Sequence, residues 1–323
     1  PCHVNRKHAP VSQKDLPPSC PARFDVAVPD SGYRWWYLDG VSHDGRYGLV
    51  VIAFLGSVFS PYYFRARQRG PASPENYTSI NVCLYRPGGD RWAMTERSRR
   101  SLVRDARNFQ VGSSQLAWED GRLVGAIEER SAPFARRMVG KIELKPRVLN
   151  TERFRLDAGG RHVWRPVAPV AEISVDFSAP ACKWTGHGYC DTNYGERMLE
   201  LDFATWDWSR TAAADGTSIY YVARSLQDGE SRLGVHYAAD GTHERLAVPD
   251  PQALSKSGWR VARRPSSPVP VTLSRVFEDT PFYTRNLLHD PHGGMIVHES
   301  LDMLRFKSSW VRTLLPFRMP RIA

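Results

Sequence analysis

Gly32-Tyr33-Arg34-Trp35-Trp36-Tyr37-Leu38-Asp39-Gly40, then Asp44-Gly45, then Tyr47-Gly48-Leu49-Val50-Val51-Ile52-Ala53-Phe54-Leu55-Gly56: an aromatic run, a turn and an apolar run. Aromatic and β-branched side chains suit a pleated strand, and Asp-Gly supplies the positive φ of a tight hairpin turn. The stretch reads as two strands, the second buried on both faces.

The same style extends in both directions. Ser79 to Tyr85 is a strand before Pro87-Gly88-Gly89-Asp90, and Phe109 to Trp118 returns through Asp120-Gly121 into Arg122 to Glu129. Ile173 to Phe177, Arg197 to Trp208, Ser218 to Arg224 and Gly234 to Tyr237 are further strands, with turns at Asp215-Gly216, Asp228-Gly229 and Asp240-Gly241. Helical periodicity is scarce; Glu96 to Arg107 and a short stretch after Asp250 are the main candidates. Many short strands between turns predict antiparallel sandwiches or barrels. The expectation is an all-β protein of two domains, 25–170 and 171–323, joined near 165–180, with 1–24 as a proline-bearing lead-in.

The bulk numbers bound what the chain does. Its 323 residues are 41% hydrophobic, 24% charged and 11% aromatic, a globular balance with room for two domains. A net charge of +10 suits an anionic partner, nucleic acid or a phospholipid surface. The arginines and lysines are scattered, without a nucleic-acid-binding signature, so nucleic acid is not indicated. No apolar run is long enough to span a bilayer as a helix. The tail, Leu301 to Ala323, mixes Phe306, Trp310, Leu314, Leu315 and Phe317 with Arg305, Lys307, Arg312, Arg318 and Arg321. Such a segment either lies on an anionic membrane surface or packs on the barrel with its charges solvated. The five cysteines, odd in number and without a C-x-x-C pair, point to free thiols in a cytoplasmic setting. Nothing indicates an obligate protein partner.

Motifs for common chemistries are missing. There is no G-x-S-x-G, no P-loop and no G-x-G-x-x-G, so no nucleotide or nicotinamide cofactor is expected. Cys182, His187 and Cys190, or His289, His292 and His298, lack zinc-site spacing, so no metal is expected either. Two short patterns stand out instead: His162-x-Trp164 and Tyr189-x-Asp191. Alternate residues of a strand share a face, so each pair projects together. Side by side, the two strands would set a carboxyl, an imidazole and two aromatic rings around one pocket. A carboxyl in a dry aromatic pocket stays protonated at neutral pH and can donate that proton. Aromatic faces then stabilise a developing cation. Those parts can protonate an alkene.

Longer motifs narrow the choice. Gly-Tyr-Arg-Trp-Trp-Tyr (32–37), Ile-Ala-Phe-Leu-Gly-Ser-Val-Phe-Ser-Pro-Tyr-Tyr (52–63), Pro-Glu-Asn-Tyr (74–77), Arg-Trp-Ala-Met-Thr-Glu-Arg (91–97), His-Val-Trp-Arg-Pro (162–166), Gly-Tyr-Cys-Asp-Thr-Asn-Tyr-Gly (188–195) and the ending from His-Glu-Ser-Leu-Asp (298–302) to Leu-Pro-Phe-Arg-Met-Pro-Arg (315–321) occur in that order. From about Gly32 onward the chain resembles the carotenoid 1,2-hydratases, or hydroxyneurosporene synthases, of carotenoid-making bacteria. The resemblance implies two lipocalin-like β-domains with the active site between them. It implies cofactor-independent addition of water to the terminal 1,2 double bond of an acyclic carotenoid. The family's catalytic His-x-Trp and Tyr-x-Asp fall on His162, Trp164, Tyr189 and Asp191. Asp191 is then the acid, Trp164 and Tyr189 the cation wall, and His162 the water-handling group. Trp35, Trp36, Tyr37, Phe54, Tyr62 and Tyr63 are expected to line the polyene site. The protein is expected to sit peripherally on the inner or intracytoplasmic membrane. The alternatives are an isoprenoid or polyketide cyclase or isomerase on the same scaffold, and a non-catalytic carotenoid carrier.

Overall fold

The computed structural model describes residues 21–322. Within them regular structure is mostly strand, in a 14-stranded and a 7-stranded sheet. The α-helices are short: Pro61–Arg67, Met303–Phe306 and Ser309–Arg318. The architecture is all-β.

The opening stretch forms the strands Tyr33–Ser42 and Gly48–Leu55, paired antiparallel near the middle of the larger sheet. On the other flank of Tyr33–Ser42 lies a long hairpin, His162–Ala179 with Ala181–Gly195. The two patterned strands are therefore direct neighbours. Their register sets Trp164 opposite Asn193 and Pro166 opposite Asp191, while Tyr37 stands opposite Asp191 on the far side.

Strand alternation divides the side chains between two cores. Trp36, Leu38, Leu49 and Val51 point inward with Leu102, Phe109, Leu123 and Val175, so the larger sheet curls around a core of its own. Trp35, Tyr37, Val50 and Ile52 point the other way and pack with Trp206, Trp208, Tyr221 and Leu301 of the smaller sheet. The second core is thus the junction of the two sheets. An ion pair pins it: Arg210 Nη2 donates to Asp39 Oδ1 at 2.6 Å, with both side chains buried.

The changeover between sheets falls between Gly195 and Phe203, whereas the boundary expected at 170 and 171 lies inside the strand His162–Ala179. Pro166 and Pro169 lie within this strand. The strand accommodates them with register shifts between Pro166 and Ala168 and between Ala168 and Ala171. The lead-in expected over 1–24 lies outside the described residues up to 20; Phe24 is buried against Trp36 and Phe109. Glu96 to Arg107, expected as helix, contains two short strands around a single 3₁₀ turn. The tail forms the helix Ser309–Arg318, which continues through Pro316 and buries Val311 and Leu315 in the junction core.

Candidate active site

Where the two sheets and the tail helix meet they enclose a cavity of about 290 Å³. Trp35, Tyr37, Phe54, Asp191 and Asn193 reach it from the larger sheet, and Trp206, Trp208, Tyr221, Tyr283, Arg285 and Glu299 from the smaller. Leu314, Leu315 and Arg318 of the tail helix complete it, with Trp259 and Leu314 exposed at the rim.

Of the carboxyls that line this cavity, Asp191, Glu278, Asp279 and Glu299, Asp191 is the most deeply buried. Its Oδ2 accepts hydrogen bonds from Trp164 Nε1 at 2.9 Å and from Tyr189 OH at 2.8 Å. Its Oδ1 is buried and has no partner among the described residues. Burial pushes the carboxyl up to about 8 from its ordinary 3.8; the Trp164 and Tyr189 bonds pull the other way, and the Glu299 and Asp39 charges add to the rise. With Oδ2 committed to two donors, the proton belongs on Oδ1. At neutral pH the site holds a carboxylic acid with its O–H free to act.

The other three patterned residues stand behind the acid, outside the cavity lining. Trp164 and Tyr189 fix its rear oxygen. Tyr189 also packs edge-on against Tyr37 and at 5.4 Å from Trp208, two rings that do reach the cavity. His162 shares the face of Trp164 as alternation requires, yet its two ring nitrogens are engaged elsewhere. Nδ1 lies 3.0 Å from Tyr33 OH and Nε2 lies 2.8 Å from Asp202 Oδ2. Its ring sits between Tyr33 and Phe203, and opposite it Gly195 leaves space that a Cβ would fill, 2.8 Å from Nδ1. Burial lowers its pKa despite Asp202. In this position the imidazole ties the long hairpin to the 3₁₀ turn that precedes the second sheet and does not line the cavity.

The expected wall divides, by parity for its strand residues and by the helix Pro61–Arg67 for Tyr62 and Tyr63. Trp35, Tyr37 and Phe54 line the cavity. Trp36 points into the core of the larger sheet. Tyr63 is buried away from the cavity, donating to the Gly32 carbonyl at 2.7 Å and stacking on Tyr77, and Tyr62 lies under Arg321. The sequence reading missed the opposite wall: Trp206, Trp208, Tyr221, Tyr283 and Glu299. The alternation Trp206-x-Trp208 in one strand was the available signal. Of the residues weighed as metal ligands, Cys182 and Cys190 turn to the core of the larger sheet, whereas His187 packs against His43.

A sequence model described as carotenoid hydratase CrtC matches residues 51–323. The chain belongs to the carotenoid hydratase family. An acyclic carotenoid 1,2-hydratase of Thiocapsa roseopersicina is 42% identical over 306 residues, covering 93% of this chain and 76% of that one. One of Rubrivivax gelatinosus is 41% identical over 311 residues, with the same coverage of 93% and 76%. Among solved structures, a putative AttH of Nitrosomonas europaea superposes with a TM-score of 0.64 at 15% identity, over 92% of this chain and 98% of that one. That likeness concerns the fold, in which the family's two lipocalin-like β-units appear as the two sheets described above.

Proposed function

We propose that this protein is a hydro-lyase that adds water across the terminal 1,2 double bond of an acyclic carotenoid, of the lycopene or neurosporene type, giving a 1-hydroxy carotenoid. The observation that carries the mechanism is Asp191 Oδ1, a buried carboxyl oxygen of an aromatic cavity with no partner among the described residues. Asp191 donates its proton to carbon 2. The positive charge then develops at carbon 1, where two methyl substituents make the cation tertiary. Faces of Tyr37, Trp206, Trp208 and Tyr221 surround it, and a desolvated cation over such a ring gains about 2 kcal/mol or more. Trp164 and Tyr189 act one step back, holding the acid in its donating geometry. Water bonds to carbon 1 and loses a proton. The addition is redox-neutral, so a proton donor, a cation-stabilising wall and a water site are the parts required.

Three outcomes separate the readings. Purified protein incubated with lycopene in detergent, without added cofactor, should yield product heavier by one water. Product of unchanged mass but altered spectrum would indicate a cyclase or isomerase. Stoichiometric binding without conversion would indicate a carrier.

We also infer that the protein works docked on an anionic membrane surface. A cavity of about 290 Å³ takes the end group of a carotenoid and leaves most of the polyene outside. At the rim, Trp259 stacks on Trp310, and Trp310, Leu314 and Phe317 are exposed, Phe317 at 77%. Arg305, which donates to the Trp259 carbonyl, and Lys307 and Arg312 lie on the same tail segment, an arrangement suited to acyl chains and phosphates. No helix among the described residues is long and apolar enough to cross a membrane. Flotation with phosphatidylglycerol vesicles should carry the protein upward. Phe317→Asp with Trp310→Asp should leave it at the bottom of the gradient; unchanged flotation of that variant would refute docking by this face.

A further inference from the structure

Three further carboxylates, Glu278, Asp279 and Glu299, line the cavity with Asp191, and Glu299 is the one placed next to it through Tyr37. Glu299 lies on the strand Met295–Asp302, opposite Arg285 on the neighbouring strand. Arg285 Nε donates to Glu299 Oε1 at 2.7 Å, and Tyr37 OH donates to the same oxygen at 2.8 Å. Tyr37 is also the residue directly across from Asp191, so one tyrosine separates the two carboxyl groups. Their surroundings differ in kind. Asp191 has only neutral donors and sits fully buried, whereas Glu299 is ion-paired with a buried guanidinium. A buried carboxyl with neutral donors beside one that is ion-paired is the usual arrangement of an acid and a base.

The free atoms agree. Both donors to Glu299 fall on Oε1, and no described residue donates to Oε2. Tyr283, two residues from Arg285 on the same face of the strand, lines the cavity with a buried hydroxyl that has no partner among the described residues. Tyr283 stands opposite Leu301, diagonal to Glu299. Around Glu299 the charged and titratable neighbours are Tyr37, Asp39 and Asp191 from the larger sheet and Arg285, Tyr283 and Glu278 from the smaller.

We propose that Glu299 is the base that accepts the proton of the attacking water, and that the Tyr283 hydroxyl holds that water against it. The proposal rests on Asp191 being the acid. As the Asp191 O–H bond breaks, the π pair of carbons 1 and 2 forms the new C–H bond at carbon 2. Water oxygen bonds to carbon 1 while one of its O–H bonds breaks toward Glu299 Oε2. The site is left with Asp191 ionised and Glu299 protonated, and exchange with solvent after product leaves restores both. His162 takes no part in this step, since its ring nitrogens face Tyr33 and Asp202.

The test separates protonation from water capture. Wild type, Glu299→Gln and Tyr283→Phe are incubated with lycopene in deuterium oxide, and both product and recovered lycopene are analysed by mass. Without its base, Glu299→Gln should hydrate about 10²–10⁴-fold more slowly, the range for loss of a general base. Asp191 still delivers deuterium to carbon 2, and the cation collapses back to alkene, so recovered lycopene should gain deuterium. Tyr283→Phe removes a hydroxyl without a partner among the described residues; it should fold normally and show the same split in weaker form, about tenfold. Hydration by Glu299→Gln within about threefold of wild type would overturn the proposal. So would loss of hydration and of deuterium uptake together in a folded variant, which would make Glu299 a structural part of the site. Should Glu299→Gln fail to fold, Tyr283→Phe decides, and hydration within about twofold of wild type overturns the assignment. Wild-type product lacking deuterium at carbon 2 is a different result: it strikes at Asp191 as the acid.

Discussion

Replacing Asp191 by asparagine keeps the shape of the side chain and removes its proton. The asparagine carbonyl can accept both bonds that Trp164 and Tyr189 now give to Oδ2, and its amide takes the place of Oδ1–H. The fold should survive, and hydration should not. The variant should also be more stable than wild type, by an amount that depends on pH. Below about pH 4 the carboxyl is protonated in both folded and unfolded chains, and ionisation costs nothing. Between the ordinary value of 3.8 and the folded value of about 8, the unfolded chain releases the proton while the folded chain keeps it. Wild-type stability therefore falls as pH rises through this window. At about 1.4 kcal/mol per pH unit the loss reaches about 4 kcal/mol near pH 7 and levels off above about pH 8. Denaturant unfolding of both proteins at pH 4, 5.5, 7 and 8.5 measures it. The stability gap between Asp191→Asn and wild type should widen across the series. A gap that stays constant with pH would refute the reasoning, because Asp191 would then ionise at an ordinary pH and could not serve as a neutral acid.

Other outcomes follow from the same contacts. Hydration by wild type should fall about tenfold per pH unit above about pH 8, as Asp191 ionises. Tyr189→Phe removes a bond that favours the ionised carboxyl, so the alkaline limb should move to higher pH while the rate at neutral pH drops, a weaker acid donating less readily. Asp39→Ala leaves Arg210 as an unpaired buried charge between the sheets and should cost about 3–5 kcal/mol in denaturant unfolding. His162→Gln breaks the contact to Asp202 and should destabilise by about 1–3 kcal/mol; whatever its effect on kcat, the alkaline limb should remain where Asp191 sets it.

Much of the fold was open to a reading of alternation alone. Trp35-Trp36-Tyr37 already sorts its rings to opposite faces, and Tyr189-x-Asp191 its hydroxyl and carboxyl to one. Parity would have removed Trp36 from the expected wall, because Trp35 and Tyr37 share the other face. Parity could not say how far along a strand the site extends, which is why His162 was grouped with Trp164 although it stands a residue pair beyond, facing Asp202. The opposite wall has a different cause. Trp206, Trp208 and Glu299 come from a separate sheet, and no local pattern states which sheet covers which. The tail illustrates the same limit. Its mixture of aromatics and cations suggested a membrane surface or a packed terminus, and the helix has both a buried and an exposed side, with Val311 and Leu315 inside and Phe317 outside.

The central claim is that Asp191 protonates carbon 2 before water reaches carbon 1. Hydration of lycopene by the wild-type protein in deuterium oxide tests it most directly, with the position of label read by nuclear magnetic resonance. The account predicts a carbon-bound deuterium at carbon 2 of the hydroxylated end. Product with unlabelled carbon 2 would contradict it.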